Sequence, residues 1–279
     1  MPLAKRSKTI CLQGDPGSGK SQMAATIIDV CEGPVHFCDI DRKIMSAAWA
    51  EPLLEKGRMT VWELEEPIDR TNFGARIGSL VKGAKPAVMP QGWTRFGEYF
   101  NAHDDSLWKA CGACVIDSAT ILNEHLKTHI MYLADRSKFT FDQWGALKSG
   151  WMDTISALRD LHRAHNKHLI LTVHERDKGT IGDRTTGIRT EMVAAASGVS
   201  FQQVPQGTQD VKVWASIDGA FGDLLGAQMD EYYHLFVDAE DVNKPIWRCR
   251  VLPDGKRSLR TSYKVDKAIF NPDFKEIWK

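Results

Sequence analysis

An excess of charge of either sign is missing from this sequence: 36 basic residues stand against 36 acidic ones. Whole-protein electrostatics therefore do not advertise nucleic acid, which counts mildly against a DNA-binding role. Any contact with DNA must come from a local basic surface. Also missing is an uninterrupted apolar run of about eighteen residues, so no segment reads as a membrane-spanning helix. The stretch Met1–Lys8 holds no apolar leader ahead of the first strand pattern. No internal repeat and no low-complexity tract occurs. The cysteines (Cys11, Cys31, Cys38, Cys111, Cys114 and Cys249) are scattered, several within apolar runs, and do not form a disulfide framework. A reduced, cytoplasmic chain is expected. Cys111-Gly-Ala-Cys114 has no second pair at finger-like spacing, which argues against zinc. His125 with His129, and His162 with His165, lie one helical turn apart but lack the His-Glu-x-x-His arrangement, and read as solvated helix faces. Trp144, Trp151, Trp93 and Trp108 are assigned to packing.

What the chain does have is the content of an ordinary globular protein, 43% hydrophobic and 26% charged, enough to bury a core. Short apolar runs at Thr9–Leu12, Val35–Cys38, Met59–Trp62, Ala113–Ile116 and Leu169–Val173 read as buried strands. Helix-period segments lie between them, the alternation of a parallel sheet covered on both faces. The clearest helix spans about Phe141–His165, with Trp144, Leu147, Trp151, Ile155, Leu158 and Leu161 as one apolar stripe. From Arg176 to Gln209 the sequence is rich in Gly, Thr, Arg and Gln, and reads as a long loop with a short helix near Met192–Ala196. Beyond it Tyr232–Val237, Trp247–Leu252 and Ser258–Tyr263 read as strands, the last two joined at Pro253-Asp254-Gly255.

Gly14-Asp15-Pro16-Gly17-Ser18-Gly19-Lys20-Ser21 matches the phosphate-binding loop pattern in full. Its glycines let backbone N–H groups turn inward toward phosphate oxygens, and the helix that follows adds its N-terminal partial charge. Lys20 would reach the terminal phosphates and the Ser21 hydroxyl would ligate Mg²⁺. Thr9–Leu12 supplies the strand upstream, and Met23, Ala24, Ile27, Ile28 and Cys31 the apolar helix face downstream, closed by Gly33-Pro34.

A second carboxylate is expected at the end of another strand, and Ala113-Cys114-Val115-Ile116-Asp117 provides it. Asp117 could instead cap the helix that continues from Ser118. Ser118 stands where many P-loop motors place a water-activating glutamate, so that carboxylate must come from elsewhere. Asp41 or Asp39, at the end of the second strand, is the candidate. His174, at the tip of Leu171-Thr172-Val173-His174-Glu175, is the candidate sensor of the terminal phosphate.

Taken together, Gly14–Ser21, Val115–Ser118, Trp144-Gly145, Leu171–Glu175, Val213–Phe221 and Asp230-Glu231-Tyr232 resemble the RecA-like phage single-strand annealing ATPases. The resemblance implies a RecA-like α/β core over residues 1–240, its P-loop strand central, and a C-terminal β extension over 241–279. It implies a slow, DNA-modulated ATPase using ATP and Mg²⁺, ring or filament assembly, and partnership with a single-stranded DNA-binding protein. The 176–209 segment would be a mobile, DNA-contacting loop, with Arg176, Lys178, Arg184, Arg189 and Lys212 on the backbone and Phe201 stacking a base. Glu175, Asp177, Asp183 and Glu191 dilute its basic character. Arg257, Arg260, Lys264 and Lys267 are candidates to reach a neighbour's nucleotide in such an assembly. Other readings stay open: a small-molecule kinase with Arg176–Arg189 as lid, a packaging or helicase motor, or a nucleotide-gated interaction module.

Overall fold

The first strand, β1 (Thr9–Gly14), is buried along its whole length, and its side chains alternate between the two faces of one sheet. Ile10 and Leu12 enter one apolar core, with Met23, Ile27, Phe37 and Tyr233. Cys11 enters the other, with Trp108, Leu147, Trp151 and Ile155. A strand that is apolar on both sides must be covered on both sides, which explains its continuous hydrophobic run. The computed structural model describes residues 6–64, 89–102, 104–135, 139–178, 188–195, 198–205, 212–215, 225–238, 246–254 and 259–278, with backbone alone for 104, 176–178, 188–195, 198–205 and 212–215.

After β1 come α1 (Lys20–Ala25), prolonged by a 3₁₀ turn at Thr26–Asp29, then β2 (Val35–Asp39), α2 (Glu51–Glu55) and β3 (Met59–Glu63). Next are α3 (Gly92–Ala102), α4 (Asp104–Ala110), β4 (Ala113–Asp117), α5 (Ala119–Leu133), α6 (Phe141–Ala164) and β5 (His168–Lys178). The chain continues through β6 (Ile188–Ala195), β7 (Gly198–Pro205), β8 (Lys212–Ala215), β9 (Glu231–Asp238), β10 (Ile246–Arg250), β11 (Ile269–Phe270) and α7 (Phe274–Ile277).

The sheet runs β11-β10-β9-β1-β5-β4-β2-β3, with β8 paired to the outer part of β5. Strands β9, β1, β5, β4, β2 and β3 are mutually parallel, while β10 runs against β9 and β11 against β10. This is the mainly parallel α/β sheet expected from the sequence, with the P-loop strand at its centre. No described helix is long and apolar enough to cross a membrane.

Most of the apolar stripe of α6 is buried: Leu147, Trp151, Ile155 and Leu158. Trp151 donates its indole N–H to Asn123 Oδ1 on α5 at 2.8 Å, so the indole's one polar atom is satisfied inside the core. Trp144, expected in that stripe, is 37% exposed and leans on Phe139 instead.

Three further expectations are corrected. Ile188–Ala195 and Gly198–Pro205 are not a loop with a short helix but two antiparallel strands, Ile188 pairing with Pro205 and Ala195 with Gly198. Among the described residues of Ser258–Tyr263, pairing is confined to a bridge between Arg260 and Tyr232, and β10 takes Ile269–Phe270 as its partner instead. His162 is not solvated: it is fully buried, 2.9 Å from Thr9 Oγ1 and 2.8 Å from the Lys167 carbonyl, tying α6 to the start of β1.

Candidate phosphate-binding site

Parallel strands that begin at one edge also end at one edge, and ligands in open α/β sheets bind there. Pairing sets Gly14 beside His174 of β5 and Leu235 of β9, and Asp39 beside Asp117. A cavity of 310 Å³ lies over these tips. It is lined by Pro16, Gly17, Gly19, Lys20, Ser21 and Gln22 of the loop and α1, by Asp41, Lys43 and Trp49 after β2, and by Asp117, His174 and Trp247.

The loop is shaped by what its glycines omit. A Cβ on Gly14 would sit 2.2 Å from the Leu235 carbonyl oxygen and 2.6 Å from Ser18 Oγ, so β1 can approach β9 here only without a side chain. A Gly14→Ala variant is expected to lose about 1–3 kcal/mol of stability, as overpacked cores do. Thermal melts would check this, and a variant as stable as the wild type would show that the loop gives way freely. Gly19 caps α1 at φ 85°, a conformation that L side chains resist.

Lys20 folds back over the loop. Its ammonium donates to the Gly14 carbonyl at 2.9 Å and the Asp15 carbonyl at 2.7 Å, and only 6% of the residue is exposed. Burial pulls its pKa below the usual lysine range, against the opposing pull of Asp117, Asp15, Glu175 and Asp41. The loop carbonyls thus hold the ammonium beside the cavity.

Asp117 faces the same cavity. Its carboxylate accepts hydrogen bonds from the Ser21 and Thr172 hydroxyls. Burial raises its pKa above the ordinary 3.8, the two hydroxyls oppose the rise, Asp41 adds to it and Lys20 offsets part. Capping of α5 does not engage this carboxylate. The cap is Ser118, whose Oγ accepts from Ile121 N at 3.3 Å. Because serine takes the cap, the aspartate before it stays turned toward Ser21.

The two aspartates after β2 divide. Asp39 is fully buried, and its Oδ2 accepts the Ile44 backbone N–H at 2.7 Å, fixing the turn that follows. Burial foremost, then Asp117, pushes its carboxyl up to about 6. Asp41 instead lines the cavity, with Oδ1 3.4 Å from the Ser118 hydroxyl and Oδ2 3.2 Å from the Lys43 ammonium. Of the pair named from the sequence, Asp41 has access to a ligand.

His174 lines the cavity, and its backbone N–H is held by Thr120 Oγ1 at 2.9 Å. Burial and then Lys20 lower its pKa, with Asp41 and Asp117 opposing, so the ring is neutral near pH 7. Next to it, Glu175 Oε2 lies 2.8 Å from His234 Nε2 of β9. From there β5 continues to Lys178, with Glu175–Lys178 paired to Ala215–Lys212 of β8.

Of the basic residues proposed to contact DNA, Arg176 and Lys178 lie on β5, Arg189 on β6 and Lys212 on β8. Arg184 and Arg257 lie outside the described residues. Arg260 pairs with Tyr232 near the start of β9, away from the Leu235 end that meets the loop. Lys267 lies over the Phe270 ring at 4.7 Å, and Lys264 is exposed. Cys111 and Cys114 are buried free thiols, and the Cys114 sulfur lies 4.0 Å from that of Cys38. Among the described residues no group of three or more His, Cys, Asp or Glu could hold a metal ion. Trp49, Trp247, Lys43 and Thr172 are site residues that sequence reasoning did not select.

Neither the protein-family models nor the curated proteins contain a match to this chain. Among solved structures, the chain is similar to one described as the crystal structure of the RadB recombinase, at 13% identity over 88% of this chain and 80% of that one, with a TM-score of 0.38.

Proposed function

We propose that the chain binds and hydrolyses ATP with Mg²⁺ and uses the cycle to control binding and annealing of single-stranded DNA, as a recombination protein. The observation that carries the nucleotide reading is the convergence of the Lys20 ammonium, the Ser21 hydroxyl and the Asp117 carboxylate on one cavity at the carboxyl edge of the sheet. These residues fit the group. A cradle of glycine backbone leaves room for phosphate, and a buried carboxylate bonded to a serine hydroxyl is an oxygen donor set suited to a hard cation. Ser21 and Asp117 would hold Mg²⁺, which when bound neutralises charge on the phosphates.

The chain's own residues supply the rest. Lys20 exchanges loop carbonyls for phosphate oxygens, and its fixed position spares it the cost of ordering on binding. Asp41 is the carboxylate that orients an attacking water and takes its proton. Neutral His174 offers one ring N–H donor to the terminal phosphate. Its loss after hydrolysis would be felt along β5, because the same strand carries Arg176 and Lys178 away from the site. Arg189 on β6 and Lys212 on β8 would extend that surface for the DNA backbone. Arg184 and a basic residue from a neighbouring copy belong to the same proposal, as does assembly into a ring or filament.

The test is binding of a labelled oligothymidylate at low salt, with and without MgATP, alongside ATPase rate and light scattering. Nucleotide-dependent binding with a change in particle size supports the reading. Affinity weaker than about 100 μM in the presence of MgATP, the weak end of non-specific binding, would end the DNA part. Turnover stimulated by a nucleoside but not by DNA would favour a kinase instead.

A further inference from the structure

Trp247 lies on β10, in the C-terminal extension, and reaches past β9 to the phosphate loop. Its indole N–H donates to the Gly17 carbonyl at 3.1 Å. Its Cδ1 lies 3.1 Å from where a Cβ on Gly19 would stand, so the ring rests against bare glycine backbone. Yet the residue is 43% exposed and forms part of the cavity wall. Core burial does not explain a large aromatic ring in that position.

The hydrogen bond has a specific consequence for the loop. In a trans peptide the carbonyl and the following N–H point to opposite edges of one plane. In the Gly17–Ser18 peptide the Ser18 N–H donates to the Asp15 carbonyl at 3.1 Å, and the Gly17 carbonyl accepts from Trp247. Both edges of the plane are therefore held. Gly17 and Gly19 sit at φ 81° and 85°, where the chain is freest and where fixing it costs most entropy. A brace that orders them beforehand removes that cost from the binding step.

We propose that Trp247 is a positioning residue of the phosphate cradle, through which β10 preorganises the loop. The proposal rests on the reading of the cavity as a triphosphate site.

Titration of the wild type, Trp247→Phe and Trp247→Ala with MgATP and with inorganic tripolyphosphate, which has the phosphates but no base, tests it. Trp247→Ala is expected to weaken both ligands by the same factor, roughly fivefold or more, the worth of one neutral hydrogen bond. Trp247→Phe keeps a ring over Gly19 but has no donor, and should fall between. The ligand-free melting temperature should stay close to that of the wild type. Tripolyphosphate should change the indole fluorescence of the wild type more than that of Trp247→Phe. A loss confined to MgATP would overturn the brace and make Trp247 a wall for the base. Binding that Lys20→Ala abolishes but Trp247→Ala spares would overturn the brace alone. If neither ligand bound the wild-type chain, the cradle reading itself would fall, and the brace with it.

Discussion

A Lys20→Ala variant is expected to lose MgATP affinity by about a hundredfold or more while remaining folded. The ammonium is buried beside the cavity and held by the Gly14 and Asp15 carbonyls, so it is in place before ligand arrives. Each charge-assisted hydrogen bond it would make to phosphate contributes about 1.5–3 kcal/mol, and a pair of them exceeds the roughly 2.7 kcal/mol of a hundredfold loss. The fold should tolerate the change because two costs oppose each other. Removing the ammonium leaves two loop carbonyls without their donor, which destabilises. It also removes a charge whose burial already depresses its pKa, which stabilises. Calorimetric titration paired with thermal melts would separate the two effects. Affinity retained within about tenfold of wild type, at unchanged stability, would mean that the loop does not grip phosphate through Lys20.

Much of the site was legible because the signals that form it are local. The glycines, Lys20 and Ser21 are consecutive, and β1 and α1 flank them with unbroken apolar patterns. Asp117 was legible for the same reason, as the residue that ends a fully buried strand. Its freedom to face Ser21 was not legible, because either Asp117 or Ser118 can cap a helix, and the choice depends on Thr172 and Ser21 waiting on neighbouring elements.

What escaped the sequence is what depends on distant partners. The bond between Trp247 and Gly17 spans 230 positions, and no periodicity reports it. His162 falls on a helix-spaced pair that looks polar, yet Thr9, 153 positions away, gives it a buried partner. The β6–β7 pair lacks an Asn-Gly or Asp-Gly between its strands, and its alternation is blurred by Ala194-Ala195 and Gln202-Gln203, so each strand is specified mainly by the other. Ser258–Tyr263 has the composition of a strand, but the edge it would need on β10 is taken by Ile269 and Phe270.

The opposite trade is expected at Asp117. Asp117→Asn should raise the melting temperature of the ligand-free protein near pH 7 while cutting ATP turnover by about 10²–10³-fold, the scale of losing a preorganised electrostatic partner. Burial lifts the carboxyl pKa above its unfolded value of 3.8, more than the Ser21 and Thr172 hydroxyls and Lys20 bring it down. A group raised in this way favours the folded state fully below the unfolded pKa. That advantage is lost as pH rises through the folded pKa. Where it is ionised the carboxylate therefore costs stability, and a neutral amide of the same shape removes the cost. Thr172 still donates to the remaining oxygen, and the new NH₂ faces the Ser21 hydroxyl, so no partner need be stranded. The advantage of the variant should shrink as pH falls and the wild-type carboxyl takes up its proton. Added MgATP should narrow it as well, since ligand stabilises only the form that binds it. Melts across pH, with and without MgATP, would show both trends. A ligand-free Asp117→Asn protein that melts below the wild type at neutral pH would mark Asp117 as a structural anchor, its bonds to Ser21 and Thr172 and its attraction to Lys20 outweighing the cost of burial.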